Sequence, residues 1–147
     1  MTDTFSVISI AAFVRRNLPS MFSSVGNRKK REDFTNWISW NMGRMNVCVI
    51  PGVSRGTISG VGIARSISNE TDARFPYRFD ERGDTLYVHL AVAKNHEGFR
   101  ALLAYCKFRW PKCSKIMFYR KKNKKMTTYN FKRFLELVET KPLERQR

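Results

Sequence analysis

The 147-residue chain predicts an α+β fold: a mixed sheet around a central strand at 84–93, then a turn, a helix at 98–110 and a basic C-terminal hairpin at 115–131. Three observations carry this. Leu86, Val88, Leu90 and Val92 alternate with Tyr87, His89, Ala91 and Ala93, the period-two pattern of a strand. Both sets are largely apolar, which predicts a strand covered on both faces. Phe99, Leu102, Leu103, Cys106 and Trp110 then recur at the spacing of one helix face. Beyond Pro111, Ile116 and Phe118 alternate with Met117 and Tyr119, and Met126 to Phe131 can return as an antiparallel partner.

The remaining elements are read in chain order. Ser9 to Phe22 is expected to be helical, with Ile10, Phe13, Val14 and Leu18 on one side, and Pro19 ends or bends it. A loop follows, ending in the basic cluster Arg28-Lys-Lys-Arg31. Glu32 to Met42 reads as a second helix with Phe34, Trp37 and Ile38 inward, Trp40 off that stripe and Gly43 as its stop. Asn46 to Ile50 is a short apolar strand closed by Pro51-Gly52, and Gly56 to Ile67 is the next strand region. Its glycines, Gly56, Gly60 and Gly62, do not match a dinucleotide-binding spacing and instead suggest a bulge or a close backbone approach. Glu81 to Asp84 turns the chain into the central strand. Phe134, Leu135 and Val138 form a short closing helix. The whole reads as one domain over 1–147, with a helical part at 1–45, a sheet core at 46–138 and a polar tail at 139–147.

Composition narrows the function classes. Lys and Arg number 28 against 12 Asp and Glu, a formal net charge of +16, which calls for a polyanionic partner: nucleic acid, or the phosphates of a cofactor. No apolar run approaches the roughly 20 residues of a membrane span. The apolar start lacks a preceding basic segment, so a signal peptide is not expected. Cys48, Cys106 and Cys113 form neither a disulfide framework nor a zinc site, which fits a reducing, cytoplasmic location. Cys48 and Cys106 read as buried, and Cys113 as the exposed one.

For chemistry, His89 and His96 are the only histidines, and no acidic or cysteine cluster near them makes a metal site. Tyr87, His89, Glu81 and Tyr129 are chemically able to move a proton. A core or groove role for His89 stands beside the catalytic one. Residues 112–133 carry nine Lys or Arg with Phe118, Tyr119, Tyr129 and Phe131 and no acid. Such a hairpin can neutralise phosphates and stack on bases through Arg120, Lys121, Lys122, Lys124, Lys125, Lys132 and Arg133, or its aromatics can simply be core.

The order of elements over about residues 46–131 resembles the acyl-CoA N-acyltransferase superfamily, the GNAT fold. The residues that carry the resemblance are Leu86 to Ala93, the turn, and Gly98 to Ala104. In that family the turn's N–H groups hold the CoA pyrophosphate. The resemblance therefore implies acetyl-CoA or another acyl-CoA as cofactor, with Ala91, Ala93, Asn95, His96, Gly98 and Phe99 binding it. The family turn is longer and richer in glycine than Lys94-Asn-His-Glu-Gly98. Phe108-Arg-Trp-Pro111 and Phe118-Tyr-Arg-Lys-Lys122 are also similar to short phage-encoded proteins of this fold, which implies a host-cytoplasm setting. Two functions stay open: an acyl-CoA-dependent N-acyltransferase with a degenerate pyrophosphate loop, and a non-enzymatic nucleic-acid-binding or mobile-element accessory protein, which can include a protein partner.

Overall fold

A computed structural model describes residues 5–17, 28–74, 79–120 and 125–140. The elements are α1 (Val7–Asn17), α2 (Arg28–Gly43), β1 (Val47–Pro51), β2 (Ile58–Ile67), a 3₁₀ turn (Glu70–Arg74), β3 (Thr85–Ala93), α3 (His96–Arg109), β4 (Lys115–Arg120), β5 (Lys125–Asn130) and α4 (Phe131–Thr140). The strands form one mixed sheet in the order β1-β2-β3-β4-β5. β1 and β2 are antiparallel, β3 and β4 parallel, and β4 and β5 antiparallel. The fold class is the mixed α+β one expected. Among the described residues no helix is long and apolar enough to cross a membrane.

The chain groups into two compact units, residues 1–63 with 90–102, and residues 64–89 with 103–147. In the first, α1 contributes Ile10, Ala11, Phe13 and Val14 to a core with Trp37 and Ile38 of α2, Ile58, Val61 and Ile63 of β2, and Leu90 and Val92 of β3. Helix α1 starts before the expected Ser9 because Ser6 caps it: the Ser9 amide donates to Ser6 Oγ at 3.1 Å and the Ile10 amide to the Ser6 carbonyl at 3.0 Å. Leu18 and residues 19–27 lie outside the described residues. The basic cluster, read as the end of a loop, instead opens helix α2.

That helix does end at Gly43, yet not through glycine's freedom. Met45 is the residue in the left-handed region, at φ 60°. The Asn41 carboxamide donates to the Trp37 carbonyl at 2.9 Å and accepts from Asn46 Nδ2 at 3.2 Å, while the Asn46 amide donates to the Asn41 carbonyl at 2.9 Å. These bonds satisfy the last carbonyls of the helix and fix the exit into β1. Trp40, off the core stripe as expected, lies under the Arg44 guanidinium at 4.0 Å.

In the second unit, Ile67, Ala73, Tyr87 and Met117 pack together, with Met126 against them. The β4–β5 register pairs Ile116 with Tyr129 and Met117 with Thr128. Phe131, expected to close the hairpin strand, opens α4 instead. Its amide leaves the ladder to donate to the Ser114 carbonyl at 2.8 Å, and Asn130 Oδ1 caps the new helix by accepting the Arg133 amide at 3.0 Å. Phe134 and Val138 are buried as expected. Cys113 is a correction: it is buried, not exposed, because the 110–114 turn presses its Sγ against the Gly83 carbonyl at 3.6 Å.

Candidate functional site

β3 carries four of the expected site residues, Tyr87, His89, Ala91 and Ala93. Strand alternation puts Leu86, Leu90 and Val92 in buried positions, while His89 and Ala91 on the opposite face are open to solvent. The strand is therefore not covered on both faces. The parallel register with β4 joins Thr85 to Lys115, Leu86 to Ile116 and Tyr87 to Met117, and extends no further along β3 among the described residues. Past Tyr87, then, the edge of this strand toward β4 is unpaired among the described residues.

In the first unit, the end of β3 runs straight into α3. The Lys94 amide donates to the Ser59 carbonyl at 2.9 Å, tying the turn to β2. Asn95 is the cap of α3: its Oδ1 accepts the Gly98 amide at 2.8 Å and its carbonyl accepts the Phe99 amide at 3.2 Å. Helix α3 consequently starts at His96, two residues earlier than expected. A Cβ at Gly98 would lie 3.3 Å from both the Ala93 Cβ and Ser59 Oγ, and 3.4 Å from Asn95 Oδ1, so only glycine seats without displacement. The same holds along β2. A Cβ at Gly60 would meet the Val92 carbonyl at 3.3 Å, and one at Gly62 the Leu102 side chain at 3.3 Å. The close backbone approach expected of these glycines is present at Gly60; at Gly62 the neighbour is a side chain of α3, and at Gly56, whose φ is 79°, nothing lies within 4 Å. Exposed Lys94 and Arg100 flank the turn with positive charge; exposed Glu97 opposes them.

In the second unit, the residue that sequence reasoning missed is Arg65. It is 1% exposed, on β2, and its Nη2 donates to the carbonyls of Asp72 at 3.1 Å and Ala73 at 3.2 Å in the 3₁₀ turn. Its guanidinium lies 5.1 Å from the Tyr87 ring centre, and Tyr87 meets His89 edge-on at 5.9 Å. Burial lowers the Arg65 pKa, while Tyr87 and Asp72 hold it up. Burial raises that of Tyr87, and Arg65 partly offsets the rise. The His89 imidazole reaches solvent yet stands in dense protein; that desolvation, and then the charge of Arg65, push it down to about 4. Through neutral pH the row is a cation, a protonated phenol and a neutral imidazole.

The other expected residues lie elsewhere. Tyr129 is on the opposite face of the sheet from Tyr87, in an aromatic cluster with Phe118 at 5.7 Å and Phe134 at 5.4 Å. Glu81 is exposed in the turn before β3. Lys125, Lys132 and Arg133 are exposed; Lys121, Lys122, Lys124 and the Arg120 side chain fall outside the described residues. Among the described residues no group of three or more His, Cys, Asp or Glu could hold a metal ion.

No protein-family model and no curated protein sequence matches the chain. Among solved structures it is similar to the GphF GNAT-like decarboxylase in complex with isobutyryl-CoA, with a TM-score of 0.53 and 17% sequence identity. The match covers 76% of this chain and spans only 60% of the length of that one. A likeness at this identity speaks to architecture alone, and it agrees with the mixed α+β sheet. The chain has a GNAT-like fold.

Proposed function

We propose that the chain binds an acyl-CoA along β3 and at the turn into α3, and transfers the acyl group to an amine. The carrying observation is the exposed Ala91 near the end of β3, from which the chain leads into a tight turn and the first turn of a 14-residue helix. The solved neighbour is itself a complex with an acyl-CoA, which supports the cofactor class.

The residues fit such a ligand in kind. Ala91 and Ala93 are small enough to leave room along the strand. Lys94, Arg100 and the first-turn amides of α3 suit phosphate oxygens, and Gly98 and Phe99 shape the bend. Two features weaken the hold: the Gly98 amide is engaged by Asn95, and Glu97 brings a negative charge. When bound, a thioester supplies an activated acyl carbon. In the second unit, His89, neutral through physiological pH, has a lone pair that accepts a proton. Tyr87, beside it, keeps its phenolic proton in the same range, as a proton donor must. Arg65 holds Tyr87 in place from beneath.

Calorimetric titration of the full chain with acetyl-CoA and isobutyryl-CoA, at low and moderate salt, tests the reading. The expected result is binding in about the micromolar range that survives added salt and is lost in Gly98→Val. Absence of binding to the unaltered chain overturns it.

A further inference from the structure

A second surface of the molecule, wholly within the unit of residues 64–89 and 103–147, has no part in that reading. The Lys107 ammonium, near the end of α3, lies 5.4 Å from the ring centre of Phe131, the first residue of α4. Lys132 and Arg133 follow at once and are exposed. The start of α4 is anchored on the start of β4, because the Phe131 amide donates to the Ser114 carbonyl and Lys115 pairs in register with Asn130. Exposed Lys112 sits in the turn between α3 and β4. Burial is the largest influence on the Cys113 thiol, then Asp84, then Lys107 and Arg109, so these charges converge around that turn. Asp84 is an acid in this neighbourhood, 3.8 Å from Lys115 with both side chains about half exposed, and exposed Glu136 follows Lys132 and Arg133 one turn along α4. Beside Lys107 on α3, Phe108 is 84% exposed, an aromatic ring that contributes nothing to a core.

We propose that the surface made by the end of α3, the 110–114 turn and the start of α4 binds single-stranded nucleic acid, with Lys107, Lys112, Lys132 and Arg133 on phosphates and Phe108 stacked on an unpaired base. Cations drawn together from three segments match a repeating polyanion rather than one phosphate. An adjacent exposed aromatic side chain matches the π-face that every base offers and that an acidic peptide lacks. Its residues are distinct from those assigned to acyl-CoA.

Fluorescence anisotropy of the full chain with a labelled oligothymidylate of about 12 nucleotides tests this, run between about 50 and 200 mM salt. The combined Lys107→Gln, Lys112→Gln, Lys132→Gln and Arg133→Gln variant is expected to bind about tenfold or more weakly, with the salt slope reduced by about 0.7 for each phosphate no longer neutralised. Phe108→Ala is expected to weaken binding about fivefold or more with the slope unchanged. These side chains are exposed, so the variants keep the fold. No binding by the unaltered chain overturns the proposal. So does binding lost only in a Lys121→Gln, Lys122→Gln, Lys124→Gln hairpin variant, or displacement of the oligonucleotide by polyglutamate of equal charge as readily as by unlabelled oligothymidylate.

Discussion

The Arg65 guanidinium lies 5.1 Å from the ring centre of Tyr87, with the two carbonyls of Asp72 and Ala73 accepting its Nη2 protons. A buried arginine is tolerated only when its charge is answered, and here carbonyl dipoles and an aromatic face answer it. Arg65→Met removes the cation and leaves both carbonyls without that donor. The expected loss of stability is about 2–4 kcal/mol, read by urea denaturation. Arg65→Lys is expected to recover only part of it, since an ammonium lacks the planar fork. An Arg65→Met protein as stable as the unaltered chain would remove the row's structural role.

Burial, and after it the same charge, act on His89. Its pKa is about 4 in the folded chain against an ordinary 6.5. Between these values the unfolded state binds more protons, so stability falls as pH drops from 6.5 toward 4 and loses nothing more to this group below that. Two-dimensional NMR of the imidazole should find its titration midpoint far below 6.5, and Arg65→Lys should leave it low because the charge remains. An imidazole that titrates near 6.5 contradicts the assignment of a neutral base.

Much of this architecture was legible because it rests on local pattern. The alternation of residues 84–93 and the stripe from Phe99 to Trp110 are written within single elements, and both emerged with their ends displaced by one or two residues. The displaced helix starts have a common cause: Ser6, Asn95 and Asn130 cap helices from positions that periodicity does not register. What stayed hidden depends on partners distant in sequence. Cys113 is buried by the carbonyl of Gly83, 30 residues away, and Arg65 is satisfied by a 3₁₀ turn that carries no hydrophobic signature. The openness of β3 at His89 and Ala91 was also invisible, since alanine is equally at home on a covered or an uncovered face.

Gly83 is the least replaceable glycine in the described chain. An added Cβ would collide with the carbonyl of Ile67, backbone against backbone, with no flexible side chain to yield. Its amide also donates to the Asp80 carbonyl at 2.9 Å. Gly83→Ala is expected to cost about 3 kcal/mol or more, seen as a thermal midpoint lower by several degrees. A shift within a degree would mean that the turn before β3 can move freely.

Burial sets the chemistry of the thiols. It pushes Cys48 up to about 12, and with Asp84 it pushes Cys113 up to about 11. Neither forms an appreciable thiolate at neutral pH, so both should resist a disulfide reagent in the native chain and react promptly in denaturant. Native-state labelling read by mass spectrometry checks this, and prompt modification of Cys113 would show that the 110–114 turn opens.

At the turn into α3, Asn95 and Glu97 each set stability against ligand affinity. Asn95→Ala removes the cap on the Gly98 amide and should destabilise the chain by about 1 kcal/mol. It also frees that amide, so any acyl-CoA affinity should fall less than stability does, or rise. Glu97→Gln removes a first-turn acid that favours the helix dipole, at a cost of about 0.3–1 kcal/mol, yet it also removes a negative charge from the place assigned to phosphates. Acyl-CoA affinity should then increase severalfold at low salt and converge on that of the unaltered chain as salt rises. Calorimetry on the two variants separates a ligand at this turn from one held elsewhere: if Glu97→Gln leaves affinity unchanged at every salt concentration, the phosphates do not sit at the start of α3.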